Sequence, residues 1–483
     1  MHLTIPAERG VFTSRTLNLR SIKAVGYDMD YTLVHYNIDE WEMRAYKHLQ
    51  RRLASIGWPV EHLTFDPDQV IRGLIIDREL GNTVKANRFG YVKQAAHGTQ
   101  MMRFEEQRDL YGRIVIDLAE RRWVFLNALF SLSEAVMYGQ LVDLLDNREL
   151  PGVLGYADLY DTVRRTLDEA HMEGQLKAEI TADPDRYVTR DPEAALTLRD
   201  QMESGKKLLL ITNSGWHYTN RMMSYAFDEF APGSGTWRDF FNVVIVSSHK
   251  PDFFDSNTPI YEIVAEDGTL KQCATGLQAD GAYVAGNAAL VEKHLGVDGT
   301  EILYVGDHMY SDVHASKKVR RWRTALVLQE LEEEIAAQTS FKPTQRKLDR
   351  LMARKEVLEA QYEHLRLMQQ RRRGRYGPEP DASAREIRED IEDLRRQLVA
   401  LDLEIAPMAR AATELNNERW GMLMRVGKDK SHLAWQVEQH ADIYTSRVSN
   451  LLYATPYAYL RSPRGSLPHD PCPPDLGAGA PTR

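Results

Sequence analysis

Ser21-Ile22-Lys23-Ala24-Val25-Gly26-Tyr27-Asp28-Met29-Asp30-Tyr31-Thr32-Leu33 decides how the rest of the chain is read. Residues 22–27 are a short, mostly apolar run that ends abruptly in acid, the pattern of a strand buried on both faces. Similar runs recur at 208–211, Val243–Val246, 302–305 and 325–328. Helical patterns separate them, for example at 194–202, 220–227, 288–294 and 312–319. Strands alternating with helices predict an α/β fold with a Rossmann-like, doubly wound parallel sheet. In such a sheet the chemistry gathers beyond the carboxyl ends of the strands. Asp28 and Asp30 stand at one such end.

The second run begins only at Leu208, far beyond what a direct crossover from the first needs. The excess predicts an inserted, mostly helical segment over the end of the first strand. It is either a decorative insertion or a cap that closes the site and selects the substrate; the cap is preferred, because a lid over such a site excludes water. After residue 330 the pattern changes. Ile387, Ile391, Leu394, Leu398, Leu401 and Ile405 follow 4-3-4-3-4 spacing, a heptad seam. Leu348, Leu351, Leu358, Tyr362 and Leu365 form a facing helical stripe, and a Gly- and Pro-containing turn lies between at 373–381. The expected organisation is a core of 1–38 and 186–335, a cap of 39–185 and a helical hairpin of 336–418. C-terminal helices at 419–460 follow, then a Pro- and Gly-rich, disordered tail at 461–483. The hairpin is either surface packing or a contact in a homo-oligomer, a dimer or tetramer.

A formal charge of -9 argues against a generic binder of nucleic acid or of anionic membranes. No apolar run has the length of a membrane span. Cys273 and Cys472, far apart, make neither a disulfide framework nor a Cys-rich zinc site. With no signal-peptide pattern at the N-terminus, a cytoplasmic protein is expected.

Two carboxylates two residues apart at a strand end suit two roles. One can attack phosphorus to form an aspartyl-phosphate. The other can serve as general acid and then as base. Charges this close call for a hard divalent cation with oxygen ligands. Alone, Asp-x-Asp is a common loop pattern, so the later strand ends decide. The run at 208–211 leads into Thr212-Asn213-Ser214, where a hydroxyl and backbone amides at a strand-to-helix turn can hold a phosphoryl oxygen or simply cap a helix. Val243–Val246 leads to Lys250, followed by Pro251; a lysine there can neutralise phosphate charge. The run at 302–305 leads to Gly306-Asp307 and on to Asp312. Four carboxylates, a lysine and a threonine on one rim exceed structural need.

Taken in order, Asp28, Asp30, Thr32, Thr212, Lys250, Asp307 and Asp312 resemble the motif set of the haloacid dehalogenase superfamily of phosphatases. The stretches 26–33, 211–214, 250–254 and 304–308 resemble the cytosolic purine 5′-nucleotidases more closely. So do Arg72-Gly73-Leu74, Leu132-Ser133-Glu134, Trp322-Arg323-Thr324 and Asn450-Leu451-Leu452-Tyr453. The resemblance covers residues 20 to 335 and 419 to 460. It implies that Asp28 is the nucleophile and Asp30 the acid/base. It implies Mg2+ held by Asp28, Asp30, Asp307 and Asp312, and phosphate bound by Thr212, Asn213 and Lys250. It further implies Phe130, Arg164, Asp168, His171 and Lys177 around the base and ribose. The implied activity is hydrolysis of purine nucleoside 5′-monophosphates of the IMP or GMP type, with transfer of the phosphoryl group to nucleosides as a second outcome; the alternatives are a phosphatase of another small phosphate ester and a catalytically idle nucleotide-binding scaffold. A tyrosine beside the family's cap histidine is Met172 here.

Overall fold

The computed structural model describes residues 5–463 except 173, 232, 234, 274, 275, 379 and 380, with backbone only at 168 and 170–172. The expected disordered tail falls, from residue 464 onward, outside the described residues. The first strand, β1 (Ala24–Tyr27), lies at the centre of a ten-stranded sheet. On one side it pairs in parallel with β2 (Lys207–Ile211), followed by β3 (Val243–Val246) and β4 (Gly281–Ala285). On the other it pairs with β5 (Ile302–Gly306), then β6 (Arg323–Val327) and β7 (Ile443–Thr445), all parallel. Antiparallel strands at Phe12–Thr13 and at Ile260–Ile263 with Leu270–Gln272 close the two edges.

The apolar runs divide by alternation. Val25, Tyr27, Leu208, Leu210, Val244, Val246, Leu303 and Val305 face one core cluster. Ala24, Leu209, Ile211, Val243, Ile245, Ile302 and Tyr304 face another. Both faces are covered, which is why the runs read as continuous rather than alternating. The chain leaves β1 to opposite neighbours at different times, so a crevice opens beyond the carboxyl ends of β1, β2 and β5.

One glycine in β1 shapes that crevice. A Cβ on Gly26 would lie 2.8 Å from Cδ2 of Tyr304 on β5. Without it, the Tyr304 ring crosses over β1 and donates its hydroxyl to the Ile211 carbonyl at 2.7 Å.

The inserted segment is not only helical. Its helices α1 (Ile38–Ser55), α2 (Leu132–Asp146) and α3 (Tyr156–Met172) share a core of Tyr46, Leu49, Val136, Leu141, Leu159 and Val163. Beside them lies an unforeseen five-stranded antiparallel sheet, in the order Gln100–Met101, Val92–His97, Asn82–Ala86, Ile75–Asp77, Trp123–Phe125. Its central strand, Asn-Thr-Val-Lys-Ala, is buried throughout although polar in sequence. Partners make that possible: Lys85 Nζ donates to the Trp420 and Met422 carbonyls, and Asn82 Nδ2 to the Tyr111 hydroxyl at 2.6 Å. Apolar periodicity cannot report a strand whose burial rests on hydrogen bonds. A short helix, α4 (Gln175–Ala182), packs against α1, α3 and the helix Trp216–Phe227 that follows β2.

Beyond β6 runs α5 (Leu331–Gly374), which turns into the antiparallel α6 (Ala384–Thr413). Leu348, Leu401 and Ile405 seal the base, and Lys347–Glu404 at 2.9 Å and Lys355–Asp402 at 2.6 Å tie the two helices. The region read as C-terminal helices also supplies β7. At three residues that strand is too short for any pattern to declare it.

Glu42 on α1 is buried and accepts the Ser133 amide at the start of α2 at 2.8 Å. It thereby satisfies one of the free N–H groups of that helix end. Burial, with the charge of nearby Glu134 adding to it, pushes its carboxyl from 4.5 up to about 8. The folded chain therefore binds this proton more tightly than the unfolded chain. Its stabilising effect is complete below pH 4.5 and is lost as pH rises toward 8, by about 1.4 kcal/mol per unit. Thermal melts of Glu42→Gln should lack this decline across pH 4.5 to 8. Parallel declines in variant and parent would contradict it.

Candidate active site

Asp28 is the residue after β1, and its amide donates to the Val305 carbonyl at 2.9 Å, which extends the ladder into the crevice. Its carboxylate Oδ1 accepts from the Met29 amide at 2.8 Å and meets Lys250 Nζ at 2.9 Å. Lys250 Nζ also lies 2.8 Å from Asp312 Oδ1 and donates to the Tyr304 hydroxyl at 2.9 Å. An ammonium has three protons, and three partners surround this one. Gly26 thus acts at a distance: it admits Tyr304, and Tyr304 anchors Lys250.

Asp312 comes this close because Gly306 has no side chain. A Cβ there would stand 2.5 Å from the Asp312 carboxyl. Asp312 Oδ2 accepts the His308 amide at 3.0 Å, which folds the loop back over β5. Asp307 lies in the same loop, buried, and its Oδ2 has no hydrogen-bond partner among the described residues. Ligand atoms of Asp28, Asp307 and Asp312 all lie within 4.8 Å of one another.

The electrostatics of this cluster are unbalanced. Burial pushes the Asp28 carboxyl up to about 7 against the pull of Lys250, with Asp312 and Asp30 adding to the rise. Burial, then Asp312, holds Asp307 well above the usual carboxylate range. Burial disfavours the Lys250 ammonium, but Asp28 and Asp312 overcome it and keep the charge. Three carboxylates against one ammonium leave an excess of two negative charges if all are ionised. The orphaned Asp307 oxygen and an all-oxygen donor set fit a hard divalent cation such as Mg2+.

Thr212 is buried, and its hydroxyl accepts the Ser214 amide at 3.1 Å. Asn213 is expected to bind phosphate; in this structure its amide braces the lysine loop. Oδ1 accepts the Lys250 amide at 2.6 Å and the Ser248 hydroxyl at 2.9 Å, and Nδ2 donates to the Lys250 carbonyl at 3.0 Å. Asp30 faces the same crevice. Its Oδ1 accepts from Tyr36 at 2.7 Å and its Oδ2 from Ser214 at 2.6 Å.

The expected base and ribose contacts divide. Phe130 is half-buried, with its ring 4.7 Å from Tyr31 and 5.5 Å from Trp41, so it joins the aspartate loop to the insertion. Arg164 is paired with buried Glu134 at 2.9 Å. Its charge also reaches His308, whose imidazole burial pushes down to about 4. Lys177 on α4 donates to the Ser214 hydroxyl at 2.9 Å and so comes directly to the aspartate side of the crevice. The side chains of Asp168 and His171 lie outside the described residues.

Composition and spacing did not point to Tyr304, Tyr36, Tyr218 or Arg72. Arg72 is buried and donates to the Asp307 carbonyl and, at 3.1 Å, to the Asn127 carbonyl, which fastens the insertion to the 307–312 loop. A buried arginine in Arg72-Gly73-Leu74 was the available signal.

Comparison with known proteins bears on the chain as a whole. The model of the 5′ nucleotidase family matches residues 11–472. A 5′-nucleotidase domain-containing protein of Dictyostelium discoideum is 25% identical over 482 residues, covering 97% of this chain and 76% of that protein. Solved structures that match include a predicted phosphoglycolate phosphatase from Haemophilus somnus, at 12% identity, 64% of this chain, 85% of that chain and a TM-score of 0.29. Another is a HAD phosphatase from Thermococcus onnurineus, at 14% identity, 64% of this chain, 87% of that chain and a TM-score of 0.26. Among the described residues no helix is long and apolar enough to cross a membrane.

Proposed function

This chain belongs to the 5′ nucleotidase family, and on that premise we propose that it is a Mg2+-dependent 5′-nucleotidase of purine nucleoside monophosphates. It is a phosphoric monoester hydrolase; the purine substrate and the metal are our reading. The convergence of Asp28, Asp307 and Asp312 within 4.8 Å, beside Lys250, carries it.

In this reading Asp28 attacks the phosphorus and becomes an aspartyl-phosphate. Asp30 gives a proton to the departing ribose oxygen, then takes one from the water that releases phosphate. Asp28, the Asp30 carbonyl and Asp307 would hold Mg2+, with Asp312 behind them. When bound, the ion supplies positive charge for the phosphoryl oxygens. Thr212, Asn213 and Lys250 meet the phosphate, and the Asn213 side chain also holds Lys250 in place for it. The inserted segment acts as the cap, with Phe130 stacking on the purine. Arg164 and Lys177 would line the rest of the nucleotide's path, and the family resemblance adds Asp168 and His171 as further base or ribose contacts. A nucleoside in place of water would accept the phosphoryl group from the same intermediate.

Phosphate release across purine and pyrimidine nucleoside monophosphates and sugar phosphates tests this. IMP or GMP should lead in kcat/KM by about 10-fold or more, a pocket-level discrimination. Chelation should abolish release and Mg2+ restore it. A sugar phosphate as the better substrate would overturn the purine assignment, and turnover undiminished by chelation would overturn the metal.

A further inference from the structure

A carboxylic acid that must first give and then take a proton has to point the same way twice. The terminal torsion of an aspartate is broad, so its carboxyl group does not hold a direction by itself. Asp30 is therefore held from outside, and each holding group can be traced by its protons.

Tyr36 is fully buried, on a two-residue strand that pairs Tyr36 with Val188. A phenol has one proton, and that of Tyr36 goes to Asp30 Oδ1 at 2.7 Å. At the 2.9 Å contact between the Tyr36 and Tyr218 hydroxyls, Tyr218 must then be the donor. On the other arm the Ser214 hydroxyl spends its proton on Asp30 Oδ2 at 2.6 Å. Ser214 in turn accepts from Lys177 Nζ at 2.9 Å. The Lys177 ammonium also stands 4.5 Å from the centre of the Tyr218 ring, within cation–π range. Both arms, which reach Asp30 from opposite oxygens, thus converge on one lysine of the inserted segment.

We propose that Tyr36, Tyr218, Ser214 and Lys177 form a positioning circuit that fixes the Asp30 carboxyl for proton transfer, and that Lys177 ties the circuit to the cap. This rests on the reading of Asp30 as the acid/base. Tyr36 and Tyr218 are positioning residues; neither touches the reacting atoms. In the first step the Asp28 oxygen–phosphorus bond forms while the bond from phosphorus to the ribose oxygen breaks. The electron pair of that bond passes to the ribose oxygen, which takes the Asp30 proton and leaves Asp30 ionised. In the second step a water oxygen bonds phosphorus, its proton goes to Asp30, and the pair from the broken acyl-phosphate bond returns to Asp28. The two hydroxyls donate to Asp30 throughout. Each carboxyl oxygen has room for a further partner, so the travelling proton is not displaced. An error of about 1 Å in such a group costs on the order of 100-fold in rate.

The test exploits leaving groups. kcat/KM reports the steps through departure of the leaving group, and p-nitrophenolate departs without needing a proton. Tyr36→Phe should lower kcat/KM by about 30-fold on the favoured nucleoside monophosphate and by no more than about 3-fold on p-nitrophenyl phosphate. Tyr218→Phe should show the same selectivity with a smaller loss. Both keep the ring, and thermal melts establish that both are folded. Equal losses on the two substrates in both variants, or no loss in either, would overturn the circuit. Asp30→Asn, assayed in parallel, separates the two claims. Selective loss in Asp30→Asn with uniform loss in Tyr36→Phe removes the circuit alone. Uniform loss in Asp30→Asn removes the acid/base reading and the circuit with it.

Discussion

Asp28→Asn is expected to reduce phosphate release by at least about 10⁴-fold while the protein stays folded. An amide oxygen is a poor nucleophile, and no other carboxylate can substitute. Asp30 is engaged by Tyr36 and Ser214, Asp312 is fixed by the His308 amide, and the Asp307 backbone is held by Arg72. Stability should change little. The Asp28 carboxyl is already pushed up to about 7 by burial, so the fold gains little from its charge. Lys250 retains Asp312 at 2.8 Å and Tyr304 at 2.9 Å. A denaturant titration should place the variant within about 2 kcal/mol of the parent. Activity above a tenth of the parent's would require a different nucleophile.

Lys250→Met should cost both activity and stability. Lys250 is buried and compensates Asp28 and Asp312 together. Removing one partner of a buried charge cluster leaves the others uncompensated, a loss of about 3–5 kcal/mol. The Tyr304 hydroxyl keeps its bond to Ile211, so the damage centres on the carboxylates. A divalent ion would offset part of that repulsion, and a ligand of the native state raises its stability. Denaturant titrations should therefore show a large deficit without Mg2+ and a smaller one with it. kcat/KM should fall by about 10²–10³, the scale of losing one preorganised donor to a developing negative charge. A variant as stable as the parent in chelator would show that the carboxylates do not depend on Lys250.

The central strands were legible because a parallel sheet covered on both faces demands continuous apolar runs, as 208–211 and 302–305 supply. Asn82–Ala86 was not, because its burial depends on Lys85 reaching the Trp420 carbonyl from far along the chain. Gly281–Ala285 lies between β3 and the antiparallel strand Ile260–Ile263, one strand in from the edge, and is only partly buried, which leaves a weak pattern. The same division holds in the site. Asp28, Lys250, Asp307 and Asp312 could be named because each follows a strand, and strand ends meet by construction. The tyrosines could not. Tyr304, Tyr36 and Tyr218 read as ordinary core residues until a hydroxyl is seen to cross to a distant partner, as Tyr36 does to Tyr218. Asn213 was legible as a site residue, but its use as a brace for Lys250 needed the loop geometry.

The most direct test of the account is to trap the intermediate on the intact enzyme. Enzyme turning over its nucleoside monophosphate with Mg2+ is quenched in acid, digested, and its peptides weighed. One phosphoryl group, labile to hydroxylamine, is expected on the peptide that contains Asp28, and none on that peptide in Asp28→Asn. Turnover with no phosphorylated peptide on rapid quenching, or a phosphoryl group on another residue, would contradict it.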